Sequence, residues 1–132
     1  PLLRHLAERG VIVGAEDFAR LGDLASLERL PLTGAVLLAA VAAGQRETTA
    51  WLLDRGLDVN VRRPDLSRQT PLHEAAWNGD LEMVKLLVAR GADRAARDGE
   101  HDATPAEWAR TAVQVKNDPS IAAVAEWLEA GA

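Results

Sequence analysis

His73 and Glu74 lie in the run Thr70–Asp93, TPLHEAAWNGDLEMVKLLVARGAD. His73-Glu74-Ala75-Ala76 opens like the helical motif of a zinc protease. In that motif a second His, four residues after the first, completes a metal pair on one helix face and the Glu serves as base. Position 77 is Trp, so the second imidazole is missing. The remaining histidines, His5 and His101, are far away in sequence, and no spacing makes the three converge. Glu74, Asp80 and Glu82 are close together, but they lie along a single helical hairpin. Carboxylates that work as an acid/base pair face each other across a cleft. Asp80 fits the start of a second helix, where negative charge complements the helix dipole. His101-Asp102, beside Asp98 and Glu100, has three readings: a solvated loop, a finger that touches a partner, or part of a metal site. There is no Gly-rich phosphate loop, no GxSxG and no cysteine nucleophile. The expectation is a non-enzymatic protein with no cofactor.

The elements that hold these residues are helices in pairs. Thr70 can cap a helix through its hydroxyl, and Pro71 suits the first helical position, where its missing N–H costs nothing. Leu72, Ala75 and Ala76 make a small-residue face that lets another helix approach. Asn78-Gly79 ends the helix in a left-handed turn. Leu81, Val84, Leu87 and Val88 recur at helical spacing, and Gly91 supplies the second stop. The same grammar recurs. Arg9-Gly10, Arg55-Gly56, Arg90-Gly91 and Ala130-Gly131 each close an apolar run. The last three of these glycines recur at intervals of roughly 35 to 40 residues. AAVAAGQRE aligns with EAAWNGDLE, and Leu57-Asp58-Val59-Asn60 with Ala92-Asp93-Arg94-Ala95.

Residues 70–93 resemble an ankyrin repeat over nearly their whole length. Asp65-Leu66-Ser67-Arg68-Gln69 resembles the family's hairpin lead-in, with Arg68 at the usual glycine. The resemblance implies an all-α solenoid of about four stacked antiparallel helix pairs with short hairpin-like finger loops. The whole chain, 1–132, is then a single ankyrin-repeat domain. Residues 1–10 form the second helix of a partial repeat, and 15–31 a shortened helix pair with no hairpin after it. Residues 35–64 form a repeat in which Ala35-Val36-Leu37-Leu38 replaces Thr-Pro-Leu-His. Residues 65–98 are the close match, and 99–132 a C-terminal capping repeat with about six extra residues around VQVKNDPS. In this family frame His73 is structural, bonding to nearby loop backbone and to Thr70.

Totals narrow the function. The chain has 132 residues, 48% hydrophobic and 27% charged, with a formal net charge of −5. That charge argues against nucleic acid, and no apolar run approaches a membrane span. No signal peptide is visible, which favours the cytoplasm, although the chain begins at Pro1 and upstream residues can have been removed. The Ala-, Arg- and Leu-rich composition resembles proteins of GC-rich bacteria. The partner expected from the resemblance is another protein, met by a monomer.

The contact residues expected are Leu66, Ser67, Arg68 and Gln69 in one finger, Trp77 and Asn78 at the groove end of a first helix, Glu100, His101 and Asp102 in the next finger, and Arg110 and Thr111 beyond. Trp77 carries two readings, an apolar anchor for the partner or a ring half-buried on the next repeat. Trp51, aligned with Leu86, and Trp127, aligned with Leu87, are expected in the core. Trp108 aligns with Glu74. Arg62, Arg63 and Arg68 read as solvated surface or as a contact for an acidic partner. Asp98, Glu100, Asp102, Glu107, Asp118, Glu126 and Glu129 outnumber Arg110 and Lys116; that end favours either a basic partner or solubility. Sharper alternatives are an immunity protein or inhibitor that neutralises a toxin or enzyme, a host-directed effector, and a structural segment of a larger chain.

Overall fold

The computed structural model describes residues 14–130. The half-repeat expected over 1–10 lies outside the described residues. Within them, helices come in antiparallel pairs and no residue is in a strand. The first pair is α1 (Ala15–Leu21) and the single turn α2 (Leu24–Leu27). The second is α3 (Gly34–Ala42) and α4 (Arg46–Asp54). The third is α5 (Pro71–Asn78) and α6 (Leu81–Ala89). The fourth is α7 (Pro105–Val115) and α8 (Ala122–Ala130), joined through a 3-10 turn, Pro119–Ile121. First helices stack in the order α1, α3, α5, α7, and the second helices α4, α6 and α8 form a parallel row behind them.

Local chemistry sets these boundaries. Thr70 accepts from the His73 N–H at 3.4 Å and Asp80 from the Met83 N–H at 3.1 Å, so each cap satisfies a donor that the first helical turn leaves free. Gly79 takes φ +69, and a Cβ there would meet Ile121 Cγ1 at 2.7 Å, so both the turn and the neighbouring repeat require a glycine. Ala75, Ala76, Ala109 and Ala112 are fully buried, which lets α5 and α7 lie close. Helix α3 begins at Gly34, one residue before the Ala35 that the repeat alignment puts opposite Thr70. Thr33 stands at its N-cap position without a side-chain cap bond.

The insertion in the last pair is visible as structure. Helix α7 runs 11 residues where α5 has 8, and Asn117 then takes φ +51 before the 3-10 turn. This corrects one expectation. Val124, Ala125 and Leu128 fill the buried positions that Met83, Val84 and Leu87 fill in α6. Leu128 therefore corresponds to Leu87, and Trp127 to the half-buried Leu86. Trp127 and Trp51 share one register, half-buried against the core rather than inside it. Each is covered by an arginine of its own chain, Arg94 at 4.4 Å and Arg55 at 4.2 Å from the ring centroid. The guanidinium shields the outer ring face and keeps its own charge in water.

Side chains also stitch successive repeats together. The last carbonyls of a first helix have no intrahelical donor. Gln45 Nε2 donates to Arg20 O at 2.9 Å, Asn78 Nδ2 to Ala42 O at 3.2 Å, and Lys116 Nζ to Trp77 O at 2.8 Å. The same device recurs at three successive junctions.

Candidate functional site

Two fingers frame the site. The first closes with Arg63 N–H donating to Gln69 O, and the second with Asp98 N–H donating to Ala103 O, both at 3.0 Å. Arg68 takes φ +43 in the first finger and Asp102 φ +50 in the second. The hairpin's left-handed residue is thus retained without glycine at position 68, at a steric cost of about 1–2 kcal/mol. The fingers lie against each other. Gly99 N–H donates to Ser67 O at 2.7 Å, and a Cβ on Gly99 would stand 2.5 Å from Leu66 O. Arg62 Nη1 donates to Arg68 O at 2.9 Å and to Arg97 O at 2.7 Å, clasping both fingers. Arg62 is therefore a structural clamp, and Arg63 pairs with Asp65 at 3.2 Å.

His73 sits beneath the fingers, fully buried. Its Nδ1 accepts from the Thr70 N–H at 3.2 Å, and its Nε2 donates to Ala103 O at 2.8 Å. Both ring nitrogens are used, so the imidazole ties α5 to the next finger. Burial lowers its pKa, the Ala103 carbonyl and the Asp98 charge resist that shift, and the ring is neutral at pH 7. Among the described residues no group of three or more His, Asp and Glu is placed to hold a metal.

Asp98 organises the second finger. It is 3% exposed and accepts four hydrogen bonds: from the backbone N–H of Glu100 (3.1 Å), His101 (2.9 Å) and Ala103 (2.8 Å), and from the Trp108 indole (3.1 Å). Burial disfavours the carboxylate, but these donors outweigh it and hold the pKa at about 2.

Between α5 and α7 these parts leave a cleft of 610 Å³ lined by Gln69, Glu74, Trp77, His101, Ala103, Trp108 and Thr111. Trp108 meets His73 edge-on at 5.1 Å between centroids and Trp77 at 6.0 Å with the rings 78° apart. Both indoles are half-buried.

The structure gathers Gln69, Trp77, His101 and Thr111 of the expected contact residues around this cleft. Leu66 is a finger tip, 85% exposed. Arg68, Glu100 and Asp102 are exposed on the fingers, outside the cleft lining. Ser67 is half-buried, its carbonyl committed to Gly99. Asn78 and Arg110 are also exposed, outside the cleft lining, and each makes bonds within the chain. Asn78 caps the preceding helix, and Arg110 is held by Glu129 of α8 through bonds of 2.6 and 3.0 Å. Glu74 and Trp108 were not among the expected contacts, although they align with each other in the repeat register. Equivalent residues of stacked helices lie side by side, which is the signal that pairs them across the cleft.

A family model for ankyrin repeats (many copies) matches residues 52–109. The chain is 32% identical over 115 residues to protein phosphatase 1 regulatory subunit 27 of Homo sapiens, with 75% of this chain and 73% of that protein covered. It is 30% identical over 129 residues to alpha-latrotoxin-Lg1a of Latrodectus geometricus, covering 97% of this chain but 8% of the toxin. It is 46% identical over 59 residues to ankyrin repeat domain-containing protein 49 of Bos taurus, covering 43% of this chain and 24% of that protein. The chain thus spans less than a quarter of the length of the latter two relatives. It belongs to the ankyrin-repeat family, whose members are in general non-enzymatic protein-interaction modules.

Proposed function

We propose that this chain binds a partner protein through the cleft between α5 and α7 and the two finger tips that overhang it. The observation that carries this reading is the pair of half-buried indoles, Trp77 and Trp108, at an open cleft between two stacked repeats. Large aromatic side chains at the wet edge of a groove are the residue type that most often supplies binding energy at protein interfaces. Leu66 adds an exposed apolar contact at the rim. A relative named as a regulatory subunit of protein phosphatase 1 supports a protein as the partner.

The test uses surface positions, so that folding is not at stake. A partner captured from the native source is mixed with the parent chain and with Leu66→Asp and Thr111→Arg. Loss of binding by both variants, with unchanged helix content, is the expected result. Full binding by both removes this face from consideration.

A second reading, neutralisation of a basic toxin or enzyme surface, draws on the exposed carboxylates Glu100, Asp102, Glu107, Asp118 and Glu126. It requires that the captured partner lose its activity when the chain binds. A partner that stays fully active in the complex contradicts it.

A further inference from the structure

We propose that the cleft between α5 and α7 takes the cationic side chain of an arginine or lysine from an extended segment of the bound protein. This deepens the binding reading above and rests on it.

Three of the four tryptophans already hold a cation of their own chain. Arg55 covers Trp51, Arg94 covers Trp127, and the Lys116 ammonium stands 5.3 Å from the Trp77 centroid. Trp108 has no such cation among the described residues. It forms one wall of the cleft, and Trp77 stands nearly perpendicular to it at 6.0 Å. Lys116 is not among the lining residues, so it leaves the cleft clear. An indole that lines a cleft attracts a cation brought over its face.

The remaining lining residues fit the same occupant. Glu74 is half-buried on the cleft wall and makes no ion pair or hydrogen bond through its side chain among the described residues. A half-buried carboxylate gains from a positive group brought beside it, and loses solvation if an apolar side chain is brought there instead. No lysine or arginine lines the cleft. Gln69, at its finger end, has a buried Oε1 without a hydrogen-bond partner among the described residues. A guanidinium or a primary ammonium carries N–H donors that a carboxylate and an amide oxygen can accept, whereas a quaternary ammonium carries none. The exposed carboxylates of Glu100 and Asp102 on the adjoining finger draw positive charge towards the mouth.

The experiment is a titration of the full chain, labelled with nitrogen-15, with N-acetyl-arginine methylamide and N-acetyl-lysine methylamide. The indole N–H signals of Trp77 and Trp108 are followed. Saturable shifts of both indoles by at least one probe are expected, with affinity about tenfold weaker in Glu74→Gln. Glu74→Gln should keep its circular dichroism and melting curve, because the side chain holds nothing in place. Three results overturn the proposal: no saturable shift with either cation, equal shifts with N-acetyl-norleucine methylamide, or unchanged affinity in Glu74→Gln. Tighter binding of the trimethyllysine analogue overturns the donor-bearing class. If the probes fail while Leu66→Asp still abolishes capture of the partner, the cleft assignment falls and the binding reading stands.

Discussion

The Trp108 indole N–H donates to Asp98 Oδ1 at 3.1 Å, and that bond fixes a wall of the cleft to the finger above it. The same carboxylate gathers three backbone N–H groups of its own loop. Asp98→Asn replaces one acceptor oxygen by a donor and sets it against N–H groups that have nowhere else to turn. A loss of about 1.5–3 kcal/mol is expected in urea unfolding. The Trp108 indole signal should broaden or move in the folded state. An unchanged midpoint would mean that the finger holds its shape without this carboxylate.

Stability should fall with acid in two stages. The His73 pKa is lowered by burial, so the unfolded chain takes up a proton that the folded chain refuses. Its contribution is complete above the ordinary value near 6.5 and is lost as pH falls through the lowered folded value. Asp98 acts further down. Its folded pKa of about 2 lies below the ordinary 3.8, so its contribution is present above about pH 4 and is lost between there and pH 2. That second stage corresponds to about 2 kcal/mol. Unfolding curves collected from pH 7.5 to pH 2 should show both declines, and Asp98→Asn should flatten the lower one.

Gly79 and Gly56 separate two costs. Both have positive φ, +69 and +91, so alanine is strained at either, by about 1–2 kcal/mol. Only at Gly79 does the added methyl strike a packed neighbour, Ile121, whereas at Gly56 nothing lies within 4 Å. Gly79→Ala should therefore cost about 1–3 kcal/mol more than Gly56→Ala. Equal thermal shifts would show that the junction with the last repeat yields without resistance.

The register of α8 predicts which aromatic and which aliphatic residue matter. Leu128 is 4% exposed, and Leu128→Ala should cost about 2–5 kcal/mol. Trp127 is half-buried beneath Arg94, so Trp127→Ala should cost less than Leu128→Ala despite the larger side chain. Arg94→Ala combined with Trp127→Ala should reveal a coupling of about 0.5–1 kcal/mol. The reverse ranking of the two α8 substitutions would restore Trp127 to the core.

Much of the fold could be read along the chain because the repeat writes it in local chemistry. Thr70 and Asp80 cap helices within one turn of themselves, and Gly79 stops one by a backbone conformation few other residues tolerate. The family resemblance makes His73 structural, and its Thr70 bond is local. Its other bond, to Ala103, belongs to the next repeat, and only stacking brings that carbonyl within reach. The register of Trp127 is not legible in the repeat spacing, because the inserted turn before α8 shifts the count by one and the buried face is fixed by neighbouring helices.

The site divides along the same line. The sequence by itself determined the helix pairs, their caps and stops, because residue type and spacing act over a few residues, while the family resemblance made Gln69, Trp77, His101 and Thr111 candidates. Tertiary structure alone decided that Glu74 and Trp108, equivalent positions of different repeats, share a cleft with Trp77. It also decided that Asn78 and Arg110 are already taken by Ala42 and Glu129. Those assignments depend on which side chains meet when helices stack, and they are set by close packing across repeats rather than by any residue's own neighbours in the chain.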